Sequence, residues 1–331
     1  MTARVTYDER TFVAEENETV LDCLSRHGVG IPHSCRSGVC QSCLMQLTDG
    51  AMKPDAQKGL KPTLQKQNLF LACQFEATGD VSVALPESAG LDYSATVVAK
   101  RMLNHNVLQL LLRTDAAFPC EPGQYLTLIN GDGVARSYSI ANDPARDNHI
   151  ELHIRLLSDG LMSKYLAERL SMNDRLTVRG PAGNCFYVAE AETGYPMVLA
   201  GTGTGLAPLY GIATQALRHG HKGAVQLFHG ALRHDDLYLV DELQSLAKQH
   251  TNFTYEPCVL HGQEGNFYRP GNIEDIVLKS LPPDRPKTRV FLCGAPELVN
   301  GLKRKAFLSG VASKHIFADP FLPSRPADRA A

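Results

Sequence analysis

The stretch HSCRSGVCQSC, residues 33–43, is the most informative part of this sequence. It spaces Cys35, Cys40 and Cys43 as C-x4-C-x2-C, and Cys73 follows at the end of the apolar segment LFLACQF. The serines and glycine of the stretch have little bulk, so backbone amides can point at the sulfurs. Four thiolates with this spacing are typical ligands of a [2Fe–2S] cluster.

Zinc, disulfide bonds and inert buried thiols are the competing interpretations of the same cysteines. Structural zinc usually takes two tight cysteine pairs or cysteine with histidine, whereas here one pair is tight and the fourth ligand stands alone. Disulfides need an oxidising compartment, and no signal peptide precedes the loop. The spacing therefore favours the iron–sulfur interpretation over the other three.

Length and composition indicate a soluble globular protein of two or three domains. The chain has 331 residues, 44% hydrophobic and 21% charged, with a net charge of −2, so a nucleic-acid binder with a basic surface is not expected. Residues 195–217 carry no charge and match the length of a membrane span. Their glycines, threonines and prolines predict a strand, a turn and a helix instead. We expect no membrane insertion and a cytoplasmic location with reduced cysteines.

Residues 1–90 predict a small mixed sheet crossed by one helix. A hairpin is expected from residues 2–6 and 11–14. A helix is expected over 19–26, with Thr19 near its cap. Cys23 falls among the apolar positions of that helix and is expected in the core. Strands are predicted at 44–47 and 81–85, a turn at 48–50, and a linker at 86–90.

Residues 93–190 alternate like short antiparallel strands, at 95–99, 107–113, 124–129 and 150–156. This pattern favours an antiparallel barrel. The tetrapeptide RSYS, residues 136–139, lies within it, and a helix is predicted from 160 to 170.

Residues 195–331 alternate strands with helices, which predicts a parallel sheet with helices on both faces. The strands are expected at 197–200, 224–228, 253–259 and 290–292, and the helices at 207–219 and 237–248. The stretch GTGTGLAP, residues 201–208, joins the first strand to the first helix, where a phosphate-binding turn is expected. The stretch CGAP, residues 293–296, follows a later strand.

Together these motifs resemble two known families. Residues 1–90 resemble a plant-type ferredoxin domain, and the remainder is similar to the ferredoxin–NADP reductase superfamily, in the arrangement of single-chain reductase components of bacterial multicomponent oxygenases. The resemblance implies a multidomain α+β and α/β fold. It comprises a β-grasp [2Fe–2S] ferredoxin domain (1–90), an antiparallel β-barrel FAD domain (93–190) and a Rossmann-like, parallel-sheet NAD domain (195–331).

For FAD, the resemblance implies that Arg136 contacts a phosphate, Tyr138 packs against the flavin and Ser139 hydrogen-bonds near N5. A guanidinium suits phosphate and an aromatic ring suits the isoalloxazine. Residues 180–186 resemble the glycine-rich turn before the last barrel strand. The other implied FAD contacts are Ser137, His153, Ile154, Arg155 and the helix start Gly160, Leu161, Met162 and Ser163. For His153, a strand histidine with a satisfied ring is an equal alternative.

For the nicotinamide dinucleotide, the resemblance implies a phosphate turn and a cysteine beside the nicotinamide ring. The turn departs from G-x-G-x-x-G because Leu206 replaces the last glycine. A buried thiol is the alternative for the cysteine, and a core aromatic is the alternative for Phe321, which could cover the flavin beside Asp319. The implied residues are Gly201, Thr202, Gly203, Thr204, Gly205, Cys293, Gly294 and Pro296.

The segment after the second strand, HGALRHDDLY at residues 229–238, bears on the choice between NADH and NADPH. A 2′-phosphate needs clustered cations, whereas a free 2′-hydroxyl needs an acceptor. One arginine, Arg233, stands with one flanking histidine and two aspartates, so the segment favours NADH and leaves NADPH possible.

The predicted activity is NADH-dependent electron transfer through FAD and the [2Fe–2S] cluster to an oxygenase component or a small ferredoxin. Ser139, Cys293, Asp319 and Phe321 are the residues expected at the reacting atoms. Arg36 and Gln41 are expected near the partner, and residues 323–331 are expected to fray. Two alternatives stay open: the same relay serving a deoxysugar dehydratase or a haem protein, and a redox-sensing or carrier module without turnover.

Overall fold

The computed structural model of the chain describes residues 3–60, 62–86, 92–188, 193–263 and 267–322. In these residues the strands form three sheets that follow one another along the sequence. Most of the predicted linker (86–90) and the whole predicted frayed tail (323–331) lie outside the described residues. The sheets agree with the three predicted segments, while the precise domain limits stay a prediction.

The first sheet is mixed and has the order β2-β1-β5-β3-β4. Strands β1 and β5 pair in parallel and the other neighbours are antiparallel. Helix α1 (Val20–Arg26) crosses the sheet, and the Thr19 side chain caps it by accepting from the Asp22 N–H. Cys23 is fully buried with the apolar residues of α1, as predicted. The strands are β1 (Arg4–Tyr7), β2 (Arg10–Val13), β3 (Leu44–Asp49), β4 (Leu69–Leu71) and β5 (Val81–Ala84), with a short helix α2 (Pro62–Gln65) before β4.

The second sheet is antiparallel throughout and has the order β10-β7-β6-β11-β8-β9. A bridge between Ile140 and Leu152 returns the end of β9 to β10 and closes the predicted barrel. Its strands are β6 (Asp92–Met102), β7 (Val107–Thr114), β8 (Tyr125–Ile129), β9 (Ala135–Ser139), β10 (Ile150–Arg155) and β11 (Arg175–Ala182), with α3 (Pro144–Asp147) and α4 (Leu161–Lys164) between them.

One prediction for this barrel is confirmed in extent and another needs correction. The helix predicted from 160 to 170 spans 161–169, where α4 is followed directly by a π-helical turn, Tyr165–Arg169. The glycine-rich segment 180–186 does not precede the last strand, because Gly180, Pro181 and Ala182 themselves end β11. That strand already pairs with both β6 and β8, so the barrel is complete before the segment ends.

The third sheet is parallel and has the order β15-β14-β13-β12-β16-β17. The chain moves outward from β12 and then returns to β16 on the other side of β12, which creates a switch point between them. Helices α5 and α6 pack into one core and α7 and α8 into another. The elements are β12 (Met197–Thr202), α5 (Leu206–Arg218), β13 (Val225–Ala231), α6 (Val240–Gln249), β14 (Phe253–Val259), β15 (Arg269–Pro270), α7 (Ile273–Lys279), β16 (Arg289–Gly294), α8 (Pro296–Leu308) and β17 (Ile316–Pro320).

Helix α6 begins later than the predicted residue 237. Residues His234–Asp236 form a 3-10 turn, and Leu239 adopts the left-handed conformation with φ of 55°, which interrupts a regular helix before Val240. The uncharged stretch 195–217 forms β12, a 3-10 turn and most of α5, as predicted. Among the described residues, none of the helices combines the length and the apolar character that a membrane crossing requires.

Candidate functional site

The predicted cluster loop joins α1 to β3, and the fold places its four cysteines in two close pairs. The Cys35 N–H donates to the Cys40 Sγ at 3.4 Å, and the Cys40 N–H donates to the Cys35 Sγ at 3.3 Å. The thiols of Cys43 and Cys73 hydrogen-bond to each other, and the Ala72 N–H donates to the Cys43 carbonyl at 3.0 Å. Short strand β4 therefore brings the fourth predicted ligand back to the loop.

This arrangement fits a [2Fe–2S] cluster, which takes two protein ligands on each iron. Among the described residues no group of three or more His, Cys, Asp or Glu side chains converges as a single-metal site would require. Hydrogen bonds from the Cys40 thiol and from Ser37 lower the pKa of the Cys35 thiol despite its burial, and the same Cys35–Cys40 hydrogen bond raises the pKa of the Cys40 thiol, so the pair holds one proton between its two sulfurs. The Gln74 amide also donates to the Cys73 Sγ at 3.4 Å.

Backbone geometry turns the loop amides inward. Arg36, Gly38 and Gln41 have φ values of 51°, 77° and 58°, in the left-handed region. The Arg36 guanidinium pairs with the Asp22 carboxylate at 2.5 Å, and its side chain is only 15% exposed. The Gln41 amide donates to the Gly59 carbonyl at 3.4 Å. Both side chains that were predicted to face a partner protein thus hold the loop itself in this conformation.

The loop rests on the outside of the barrel through hydrogen bonds to β8 and β11. The Tyr125 hydroxyl donates to the Val39 carbonyl at 2.8 Å, and the Arg179 guanidinium donates to the Ser42 carbonyl at 3.2 Å. The Ser42 and Thr127 hydroxyls lie 3.2 Å apart. The barrel therefore fixes the loop at both ends of the segment that carries Cys40.

One cavity of about 1110 Å³ connects this loop to both other sheets. From the first sheet region, Cys35, Val39 and Cys40 line it. Sequence-predicted residues that also line it are Arg136, Ser137, Tyr138, Ser139, His153, Arg155, Gly160, Leu161, Met162, Ser163, Thr202, Gly203, Thr204, Gly294, Pro296, Asp319 and Phe321. The cavity is large enough for an extended cofactor, and ligands of this kind are typically buried in such clefts.

Strand β9 and the segment after β10 form the barrel side of the cavity. Register places Tyr125 opposite Ser139 and Thr127 opposite Ser137. Arg155 extends toward the glycine-rich turn, since a Cβ on Gly203 would lie 3.9 Å from its guanidinium. Arg136 and Arg155 therefore place two permanent positive charges on the wall of the cavity, as a pyrophosphate requires.

The glycine-rich turn lies at the switch point between β12 and β16. A Cβ on Gly205 would lie 2.3 Å from the Cys293 carbonyl oxygen, and one on Gly201 would lie 2.7 Å from the same atom. Gly203 has φ of 55°. Leu206, in place of a further glycine, is fully buried in the core. The glycines thus let the start of α5 approach β16 closely, while Gly203 and its threonine neighbours face the cavity.

Comparisons with known proteins agree with this division of the chain. A 2Fe-2S iron-sulfur cluster binding domain matches residues 4–78, an oxidoreductase FAD-binding domain matches 94–187, and an oxidoreductase NAD-binding domain matches 199–304. The ferredoxin–NAD(P)(+) reductase component of a naphthalene 1,2-dioxygenase system from Pseudomonas putida is 32% identical over 92% of this chain and 93% of its own length. The chain belongs to the reductase components of oxygenase systems.

Other relatives extend the comparison to different partner systems. The reductase subunit of an aromatic O-demethylase from an Amycolatopsis strain is 31% identical over 98% of this chain and 100% of its own length. Among solved structures, an Amycolatopsis cytochrome P450 reductase matches with a TM-score of 0.70 at 30% identity, covering 98% of this chain and 100% of that one. The reductase therefore carries [2Fe–2S], FAD-binding and NAD-binding domains in a shared overall arrangement.

His153 of the reductase shows the satisfied ring that was one of its two interpretations. Its side chain is fully buried; Nε2 pairs with the Glu151 carboxylate at 2.8 Å and Nδ1 lies 3.3 Å from the Tyr238 hydroxyl. Both ring nitrogens are thus occupied within the protein. Ile154, its neighbour, is completely buried in the barrel core and does not reach the cavity wall.

Cys293 does not line the cavity in this structure, although Gly294 and Pro296 beside it do. Its side chain is fully buried and its Sγ lies 3.6 Å from the Cys185 Sγ. Burial raises the pKa of the Cys293 thiol, which keeps it protonated. The alternative interpretation as a buried thiol describes this conformation, and contact with a nicotinamide ring stays a prediction.

The last described residues return to the cavity, as the resemblance implied. The Phe321 N–H donates to the Gly294 carbonyl at 2.8 Å, and both Phe321 and Asp319 line the cavity. Burial raises the pKa of Asp319 to about 7. A half-buried aromatic ring and a carboxyl group that is partly protonated near neutral pH therefore stand where the flavin is expected.

Arg233 is exposed and does not line the cavity in this structure, so its contact with the cofactor stays a prediction. Sequence inspection missed several residues that do line it. Tyr125 and Asn272 are polar, Asp236 and Glu274 are acidic, and Leu232 and Leu260 offer exposed apolar surface. Glu274 and Asn272 lie at the start of α7, distant in sequence from the glycine-rich turn, so only the parallel sheet brings them together.

Proposed function

We propose that this chain takes electrons from NADH and delivers them one at a time to an oxygenase component or a small ferredoxin. The observation that carries the proposal is the single cavity whose walls include the cluster loop, the RSYS motif and the glycine-rich turn. When bound, FAD accepts a hydride from the nicotinamide and releases single electrons to the iron–sulfur cluster. The cofactors supply the chemistry, and the protein supplies their alignment.

Alignment follows from the contacts of the protein itself. The close approach of Gly205 to β16 fixes the dinucleotide turn against the strand that ends at Gly294. The hydrogen bond from Tyr125 to the Val39 carbonyl fixes the cluster loop against the barrel. Holding the reacting groups at a fixed distance and angle lowers the barrier to transfer substantially.

NADH rather than NADPH is the proposed donor. Asp236 and Glu274 line the cavity together with the apolar residues Leu232 and Leu260, while Arg233 does not line it. Carboxylates accept hydrogen bonds from a ribose 2′-hydroxyl and repel a 2′-phosphate. We expect kcat/KM to favour NADH by roughly tenfold or more, which corresponds to about 1.4 kcal/mol.

The proposed location is the cytoplasm, where NADH is available and cysteine ligands stay reduced. The acceptor is proposed from the relatives: the naphthalene dioxygenase reductase favours an oxygenase or ferredoxin partner. A haem protein is the second candidate, because a relative of a cytochrome P450 system matches almost the entire chain. Reduction assays with each class of acceptor separate the two.

The test begins with the purified protein and its absorbance spectrum. We expect flavin and [2Fe–2S] absorbance, and NADH oxidation with ferricyanide as acceptor. Protein that carries FAD yet oxidises neither NADH nor NADPH would be the redox-sensing module instead. Protein that neither retains nor accepts FAD contradicts the proposal.

A further inference from the structure

A line of three hydroxyl groups, two of them buried, connects the flavin motif to a predicted cluster ligand. The Ser137 Oγ lies 3.2 Å from the Thr127 Oγ1, and the Thr127 Oγ1 lies 3.2 Å from the Ser42 Oγ. The Ser42 hydroxyl donates to the Cys40 Sγ at 3.1 Å. These contacts cross from the barrel to the first domain, so the line begins in the cavity and ends on a predicted iron ligand.

The fold fixes each member of this line. Thr127 and Ser137 are directly opposite each other on β8 and β9. Tyr125, two residues before Thr127, projects from the same face of the strand and holds the Val39 carbonyl. Ser42 and Thr127 are 0% and 3% exposed, so water does not compete for their hydroxyls.

Only one direction of donation gives each of the three hydroxyl groups a hydrogen-bond acceptor for its proton. Each hydroxyl has a single proton to donate. Because Ser42 uses its proton on the Cys40 Sγ, it accepts from Thr127, and Thr127 in turn accepts from Ser137. Hydrogen bonds that run in the same direction polarise one another. The hydrogen bond from Ser42 to the Cys40 sulfur is therefore stronger than one from an isolated hydroxyl group.

We propose that Ser137 and Thr127 of the FAD domain act through Ser42 of the cluster loop as positioning residues that set the reduction potential of the cluster. The inference rests on the proposed function, since it takes Cys40 as an iron ligand. Hydrogen bonds to ligand sulfurs stabilise the more negative, reduced form of an iron–sulfur cluster and raise its potential. The cluster is therefore easier to reduce while its loop is seated on the barrel.

The experiment measures cluster and flavin midpoint potentials in the holoprotein by dithionite titration, with electron paramagnetic resonance reporting the reduced cluster. Thr127→Val removes the middle hydroxyl and keeps its shape, and Thr127→Ser restores the hydroxyl. Ser42→Ala removes the bond to sulfur itself. Thr214→Val is the matched control, because Thr214 is a similarly buried threonine whose hydroxyl bonds within α5.

We expect a lower cluster potential in Thr127→Val and Ser42→Ala, a wild-type value in Thr127→Ser, and no change in Thr214→Val. An unchanged potential in Thr127→Val overturns the inference, even if Ser42→Ala lowers it, because only the last bond would then matter. If Thr127→Val does not retain its cluster, Ser137→Ala provides the same test from the other end. Dithionite bypasses NADH, so a wild-type protein that binds the cluster but lacks NADH oxidation defeats the proposed function and leaves this test intact.

Discussion

Two groups of close cysteines in this molecule differ in the hydrogen bonds that their sulfurs accept. In the cluster loop, the Cys35 and Cys40 sulfurs each accept a backbone N–H, and a serine hydroxyl adds another donor to Cys40. Cys185 and Cys293 lie 3.6 Å apart in the core of the third domain, where burial raises the pKa of Cys293. The sulfurs of Cys35 and Cys40 therefore accept hydrogen bonds, as the sulfur ligands of a cluster would, whereas burial keeps the Cys293 thiol neutral.

The largest expected effect comes from removing a predicted iron ligand from the cluster loop. Cys43→Ser takes away one of the four predicted iron ligands, and we expect NADH-dependent cytochrome c reduction to fall on the order of 100-fold. Ferricyanide reduction should stay within about threefold, since ferricyanide can take electrons from the flavin. Cys120→Ser, a half-buried cysteine outside both groups, is the control. Equal loss of both activities in Cys43→Ser would show that the cluster does not follow the flavin.

The next effect concerns the close packing around Cys293. A Cβ at Gly205 would lie 2.3 Å from the Cys293 carbonyl oxygen, so Gly205→Ala must shift the turn away from β16. We expect KM for NADH to rise about tenfold or more, which is a loss of about 1.4 kcal/mol of binding. Gly194→Ala, which meets no atom within 4 Å, should leave KM unchanged. A wild-type KM in Gly205→Ala would place the dinucleotide elsewhere.

A smaller effect separates the two interpretations of Cys293. If its predicted contact with nicotinamide forms on binding, Cys293→Ala should lower the rate of flavin reduction by NADH several-fold, by roughly 1 kcal/mol of transition-state alignment. Cys185→Ala should leave that rate near wild type and reduce only stability. Equal reduction rates in the two variants, measured by rapid mixing, would leave Cys293 as packing alone.

The smallest effect is a pH dependence of stability from Asp319, which pairs with Cys293 across β16 and β17. Burial raises its pKa to about 7 in the folded protein, against about 3.9 in an unfolded chain. The folded state therefore holds the proton more tightly, and this stabilisation is complete below about pH 4 and lost as the pH rises to about 7. We expect the melting temperature of the wild type, compared with Asp319→Asn, to fall between about pH 4 and pH 7 and to level off above that. If the melting temperatures of the wild type and Asp319→Asn changed in parallel with pH, the raised pKa of a buried Asp319 would be contradicted.

Much of the fold could be predicted because its signals are local. The spacing of Cys35, Cys40 and Cys43, the alternation of short strands around RSYS, and the strand–glycine–helix pattern at 201–208 each describe one element and its neighbours. These signals gave the three folds and most of the cavity wall. Elements without a strong local pattern, such as α7, α8 and β17, were missed.

The contacts that could not be predicted join residues distant in sequence. Arg36 pairs with Asp22 on α1, and its place near a partner stays a prediction. The Cys293 sulfur lies 3.6 Å from that of Cys185, at the end of the barrel domain, and its contact with nicotinamide likewise stays a prediction. The line of hydroxyl groups likewise joins Ser42 to Thr127 across a domain boundary, and no sequence motif predicts such a contact.

The central claim is that electrons enter at the dinucleotide turn and leave through the cluster loop. Rapid anaerobic mixing of the holoprotein with NADH tests this claim most directly. Flavin and cluster absorbance are followed in the same reaction. We expect the flavin to bleach first, at a rate that rises with NADH concentration, and the cluster to follow at a rate independent of it. Cluster reduction that precedes flavin reduction would contradict the relay.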